Sequence, residues 1–515
     1  MNRSSRLPLF AAIAATWLAG LVLVCLATIP FAGSISDRRL WDDPHYVFDN
    51  PTLADRSHGI ARIWAGEYLM DYYPVPQTIL WVEYGLFGDH AVGYRVANIL
   101  LHAAGGLLVW WAAAQWRLPW PWLLATIWAC HPTNCDAVCW IAQHKSTVAT
   151  IFFALAAGLY RRSAACGPLA VLAHGLACLS KTDAVMLPVL LVALEGWRAA
   201  PGTDVRAWAR TVAGRILPFA GVSLVAALGA ARFMATRVVT TPIDLGTPVE
   251  RLLKSGWAIC FYLCDVVWPL RLAAAYPLPS LQAGDFGSWW PLLMVVAAVA
   301  AMGFLWWQRP QIGRPLLLAG IVFIFMLLPV LMIFPQGYFR YSLVADRYLH
   351  LPLLAAAAIV AGALHGAARH FGWPGTGRQA AGALAGAIVL ALGTITALHA
   401  PTYRSEESLW RTAIAAQPQA WFPYHGLGTA LLNEGNDPMA AIPFLERAAR
   451  MHGTYPVTWF NLGLALSEVG RLGEGRAMLV HALELEPRFK MARLALEELD
   501  RRQPQSGGRG ARATE

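Results

Sequence analysis

Residues 7–35 carry no charged side chain. A cleaved secretory signal has an apolar core of only ~7–15 residues, whereas a helix of this length spans the ~30 Å hydrocarbon layer of a bilayer. Inside that layer every backbone N–H and C=O must be paired within the protein, which leaves helices or a closed barrel as the available folds. The feature repeats. Apolar runs recur at 91–116, 119–130, 147–160, 169–179, 184–194, 216–234, 256–270, 289–307, 316–334, 351–364 and 380–399. Overall 57% of residues are hydrophobic and 14% charged, where a soluble chain carries about a quarter charged. A polytopic, mostly α membrane protein is predicted.

Basic loops orient such a chain. Arg3 and Arg6 precede the first run, and Arg117, Arg161, Arg162, Arg198, Arg309, Arg314 and Arg369 follow or separate later ones. These ends are assigned to the cytoplasmic side, so residues 36–89, 133–145 and 336–348 lie on the opposite face. Parity then fails at 256–270, which falls between two outer points. It is read as a re-entrant or interfacial helix, leaving about eleven crossings. The net charge of +9 serves topology. No recognition module accompanies it, so a nucleic-acid partner is excluded. The eight cysteines lie mostly within apolar runs or lack a second ligand pair, which argues against both a disulfide framework and a zinc site.

Beyond Pro401 the pattern turns soluble and helical. Tyr424, Leu427, Gly428, Ala440 and Phe444 are answered by Trp459, Leu462, Gly463, Leu479 and Ala482. The Gly428-to-Gly463 interval is close to the ~34 residues of a tetratricopeptide (TPR) repeat. Residues 401–500 are therefore read as a TPR-like α-solenoid following the membrane domain of residues 1–400, and 501–515 as a disordered tail.

Three outer segments offer chemistry. The first carries the adjacent carboxylates Asp42 and Asp43, a general base with an orienting partner, or equally a loop or cap acid. Two close carboxylates repel, and one with a raised pKa can accept a hydroxyl proton. The second carries His131, Asp136, His144 and Lys145. The third carries Asp346 and Arg347, with Arg340 nearby; an outward-facing Arg at that depth asks for an anion, either a lipid phosphate or Asp346. Lys181 follows the same logic. Carboxylates and cations at one membrane face suit transfer from a lipid-borne phosphate to a hydroxyl.

The segments Trp41-Asp42-Asp43-Pro44-His45-Tyr46-Val47 with Asn50-Pro51-Thr52-Leu53, His131-Pro132 with Asp136, Trp140 and Lys145, Leu179-Ser180-Lys181, Trp268-Pro269-Leu270-Arg271-Leu272 and Ala345-Asp346-Arg347-Tyr348 occur in an order that resembles the transmembrane-and-TPR protein O-mannosyltransferase family and its bacterial relatives. The resemblance implies a GT-C fold and a polyprenyl- or dolichyl-phosphate sugar donor. It places an acidic residue, Asp42 or Asp43, at the acceptor, and Asp43 is taken as the base. It places Arg347 with Lys145 or Lys181 at the donor phosphate; Arg340 is a secondary candidate by its own position, and His131, Asp136 and Asp346 are the acceptor-side or second-loop candidates. It requires no cofactor; Asp42 and Asp43 would be the ligands if a divalent cation takes part. Asn134, Asp136 and Ser146 depart from the residues usual in the family.

The implied activity is inverting transfer of a sugar, mannose being the first candidate, to Ser or Thr of an exported protein held by the TPRs. The site and TPRs would lie on the periplasmic side of a bacterial inner membrane. A lipid or envelope polysaccharide is the alternative acceptor. A non-catalytic scaffold or a lipid flippase is the competing class.

Overall fold

The computed structural model describes residues 9–68, 71–200, 202–238, 243–332, 336–370 and 376–502. The basic residues Arg3 and Arg6 and the tail 503–515 lie outside them. Every regular element among the described residues is helical. Helices form at each predicted apolar run, from Leu9–Thr28 to Thr376–His399.

By length and apolarity six helices suffice to cross a bilayer among the described residues: Ile13–Ser34, Ala91–Gln115, Val205–Thr236, Phe286–Gln308, Pro310–Val330 and Gln379–Arg404. Pro121–Cys130, Ala164–Cys178 and Leu353–Arg369 are apolar but shorter. At 1.5 Å per residue, a helix of ten residues covers about half of the hydrocarbon layer. The helix His144–Arg162 has the length, yet begins with His144, Lys145, Ser146 and Thr147 and ends in two arginines. This is a polytopic membrane protein whose polar ends are built into its helices, so helix length alone does not return the eleven expected crossings.

The re-entrant segment expected at 256–270 is the later part of a continuous helix, Pro248–Val267. A capping box starts it: Thr247 accepts from the Glu250 N–H and the Glu250 carboxylate accepts from the Thr247 N–H. Trp268-Pro269 ends it, since a residue before proline leaves the helical region.

The outer stretch 36–89, expected to be a polar loop, is largely helical as well. It folds into Pro44–Phe48, Pro51–Ala54, Gly59–Trp64 and Pro74–Phe87. Proline opens three of these four turns, at the position where a missing N–H costs nothing.

The chain divides into two compact units. The first comprises residues 1–272 and 279–405. Its core is lined with small residues, Ala103, Ala125, Ala129, Ala357 and Ala361, around the buried Trp128. A Cβ at Gly158 would overlap the Trp111 ring, so the helices Ala91–Gln115 and His144–Arg162 approach closely. Small residues of this kind let helices pack in a membrane, where no hydrophobic effect drives association.

Among the described residues the second unit comprises 273–278 and 406–502. It contains two successive helical hairpins, Trp421–Asn433 with Pro438–Met451 and Pro456–Glu468 with Leu472–Leu485. A Cβ at Gly428 would lie 2.6 Å from Leu445 Cγ, and one at Gly463 2.9 Å from Leu479 Cγ. Each glycine is thus required by the close approach of its hairpin partner. Gly463→Leu is expected to destabilise this unit by about 1–3 kcal/mol through overpacking, read as faster hydrogen exchange in Leu472–Leu485 of the full chain.

Candidate active site

Asp42 and Asp43 are adjacent in sequence and differ in environment. Trp41 adopts φ +23°, a left-handed conformation that costs a bulky residue of order 1–3 kcal/mol. Its ring is held by stacking on the buried Trp140, with centroids 5.6 Å apart, and by the edge of Tyr341 at 5.7 Å. The turn at Trp41 is followed by Asp42, half-buried, and Asp43, fully buried.

Both Asp43 oxygens are engaged by backbone donors: Leu40 N–H gives 3.0 Å to Oδ2 and Ala142 N–H 2.9 Å to Oδ1. Burial pushes this carboxyl up to about 6, against the pull of Arg95 and these two donors. Asp43 therefore ties the first outer segment to the second. The sequence expectation that it is the reacting base meets a carboxylate with one backbone N–H already on each oxygen.

Arg95 completes this lock. Its buried guanidinium donates to the carbonyls of Ser34 at 3.3 Å, Cys139 at 2.8 Å, Tyr403 at 2.7 Å and Arg38 at 2.8 Å. The Asp43 carboxylate also feels its charge. Arg95→Ala would leave four carbonyls and a buried carboxylate without their cation, and is expected to destabilise the chain by about 3–5 kcal/mol. Thermal unfolding in detergent measures this; Arg95→Lys should recover only part of the loss, having no planar fork.

Asp42 faces charge. Burial raises its pKa, while Lys145 and Arg347 lower it; Asp71 and His45 also act on it. Lys145, in the first turn of its helix, donates to Asp71 Oδ2 at 3.1 Å and to Tyr46 Oη at 2.9 Å. The Tyr46 hydroxyl in turn donates to Asp71 at 2.8 Å. Burial opposes ionisation of Asp71, but Lys145 and Tyr46 outweigh it and hold the pKa below the usual carboxylate value.

Lys181 pairs with Asp183 at 2.8 Å and donates to the Arg347 carbonyl at 3.3 Å. Burial lowers the Lys181 pKa against the opposing pull of Asp183, with Lys145 and Arg347 adding to the depression. Tyr73 brings the first outer segment to the same place, bonding Thr182 at 2.8 Å.

Arg347 has an anion within the protein in Asp136, where the sequence offered a lipid phosphate or Asp346. The guanidinium gives 3.1 Å to Asp136 Oδ2 and the Arg347 backbone N–H 3.2 Å to the same oxygen. It also lies 4.2 Å from the Tyr338 ring centroid, a cation–π contact. Asp136 is fully buried beside Arg347. Asp346 opens the short 3₁₀ turn Asp346–Leu349, also buried. Arg340 closes the turn Gly337–Arg340 and is half-buried.

His131 is structural in this arrangement. Its ring bonds Thr133 Oγ1 at 2.9 Å and the Val266 carbonyl at 3.1 Å, and burial pushes its pKa down to about 4. It is neutral at physiological pH.

The structure therefore brings together Asp42, Lys145, Lys181 and Arg347, and adds Asp71, Asp183, Tyr46 and Tyr73. Asp71 stands in the stretch Asp71-Tyr72-Tyr73-Pro74, whose crowding of polar and aromatic residues ahead of a proline was its only sequence signal. For a metal, no group of three or more His, Cys, Asp or Glu side chains is disposed to ligate one among the described residues. Asp43, one of the two ligands considered, accepts one backbone N–H on each oxygen.

The arrangement can abstract a proton at Asp42 and hold an oxyanion at the three cations. No family model matches the chain. Over 436 residues, 81% of its length, the chain is 22% identical to a protein O-mannosyl-transferase of Caenorhabditis elegans, and it spans 60% of that protein's length.

Proposed function

We propose that this chain is a membrane glycosyltransferase that moves a sugar from a polyprenyl-phosphate donor to a Ser or Thr hydroxyl of an exported protein, with inversion. The observation that carries the reading is the half-buried Asp42 carboxylate facing Lys145 and Arg347, with Lys181 next to those two, each cation held by its own carboxylate. The similarity to a protein O-mannosyl-transferase favours mannose and a protein acceptor.

Asp42 takes the proton of the acceptor hydroxyl as its oxygen attacks the anomeric carbon. The bond from that carbon to the phosphate oxygen breaks, and the lipid phosphate leaves carrying the bonding pair. Charge grows on the phosphate through the transition state, where Arg347, Lys145 and Lys181 stabilise it. A single displacement inverts the anomeric centre. Asp71, Asp183 and Asp136 hold the three cations in place before the donor arrives. The two hairpins of the second unit act as a TPR-type platform for the exported polypeptide, and the orientation is that of a bacterial inner membrane with this face in the periplasm. The reaction so written requires no cofactor.

A base must be ionised to work, and the Asp42 pKa is raised by burial. Activity is therefore expected to fall on acidification through a single ionisation lying above the ordinary aspartate value of about 3.9, and to level off above it. A pH profile of kcat/KM measures this; a profile that rises as pH drops would remove Asp42 from the base role. In cells, intact mass spectrometry of exported proteins should show a hexose increment that disappears on deletion. Unchanged masses together with an altered envelope polysaccharide would move the acceptor to a glycan.

A further inference from the structure

An apolar cavity of about 790 Å³ lies among six helices of the first unit, lined by Trp116, Ala157, Trp197 and Ala358 among others. Its polar lining is confined to one end, where Gln311, His365 and Arg369 meet it. That is the end at which Arg117, Arg162, Arg198 and Arg309 follow or close their helices. Toward the other end, Val148, Leu187 and Leu353 are each at most 1% exposed. They stand on three of the lining helices between the cavity and the ends that carry Lys145, Lys181 and Arg347. A lipid chain running from Arg347 into the cavity would have to pass these buried side chains; one entering at the Arg-rich end would not.

We propose that the cavity receives the acyl chains of an anionic phospholipid from the Arg-rich leaflet, with its headgroup phosphate at Arg369. Arg369 is exposed at the mouth, where a basic side chain favours an anionic headgroup, and the apolar walls below match hydrocarbon. The site is separate from the carboxylate and cations of the outer face, and it stands whether or not sugar transfer is the reaction.

Gly362 supplies the means of testing it. It lines the cavity, and a Cβ built there meets nothing within 4 Å, so Gly362→Phe fills the space without overlap at its first atom. The full chain in detergent is titrated with phosphatidylglycerol or phosphatidylcholine, and bound lipids are counted by native mass spectrometry. The wild type should hold one phosphatidylglycerol roughly fivefold more tightly than phosphatidylcholine, as one basic group near an anionic headgroup gives. Arg369→Glu should abolish that preference, and Gly362→Phe should remove the bound lipid of either kind while thermal unfolding stays at the wild-type temperature. If Gly362→Phe unfolds early, Arg369→Glu alone decides. Equal retention of the two lipids by the wild type, or wild-type retention by either variant, would overturn the proposal. So would displacement of phosphatidylglycerol by polyprenyl phosphate mole for mole, which would give the cavity to a donor tail.

Discussion

Asp42→Asn is expected to abolish transfer, lowering kcat by about 10²–10⁴, the usual contribution of a positioned general base. KM for the lipid donor and the unfolding temperature should stay near wild type. Asp43→Asn separates from it on both readouts. Its carboxylate accepts from Leu40 N–H and Ala142 N–H, and an amide can offer only one acceptor oxygen to those two donors. The loss is expected to be about 1–3 kcal/mol of stability, with activity declining in proportion to folded enzyme. A radiolabel transfer assay paired with thermal unfolding reads both. Full activity in Asp42→Asn, with a pure kcat loss and normal stability in Asp43→Asn, would return the base to Asp43.

Arg347 carries the second large effect. Arg347→Ala removes a cation from the proposed donor phosphate site and also strands the buried Asp136, 3.1 Å away in the native pair. Breaking such a pair costs about 3–5 kcal/mol, so the single variant mixes binding with folding. The double variant Arg347→Gln with Asp136→Asn restores a neutral hydrogen-bonding pair. It is expected to recover most of the stability while donor affinity remains at least tenfold weaker, the equivalent of ~1.4 kcal/mol of a lost charge-assisted contact. Donor binding measured directly, apart from turnover, makes the distinction. Wild-type donor affinity in the folded double variant would exclude Arg347 from the phosphate site.

Much of this arrangement was legible in the sequence because membrane insertion writes itself in long runs of apolar residues. The uncharged stretch at 7–35 and the runs that follow it marked helices that the structure forms. The hairpins of the second unit were equally plain, since Gly428 and Gly463 must be small where Leu445 and Leu479 approach.

Two kinds of information were not legible. Crossing number depends on depth in a bilayer, and helices such as His144–Arg162 mix a span's length with polar ends. Pairing depends on which loops meet. Nothing in the run Asp346-Arg347 says that the guanidinium turns to Asp136, 211 positions away along the chain. Nothing in Asp42-Asp43 says that one carboxylate faces the cations while the other braces two backbone segments. Arg95 was invisible for the same reason, because its partners are carbonyls that any residue supplies.

The central claim is that this outer-face cluster performs a single displacement on a lipid-phosphate sugar. It is tested most directly by incubating the purified full chain with synthetic polyprenyl-phosphate mannose and a Ser/Thr-containing peptide, then determining the anomeric configuration of the product by NMR. The account predicts a mannosylated hydroxyl whose anomeric configuration is opposite to that of the donor, and none with Asp42→Asn. Product with the donor's configuration, or equal product from Asp42→Asn, would contradict it.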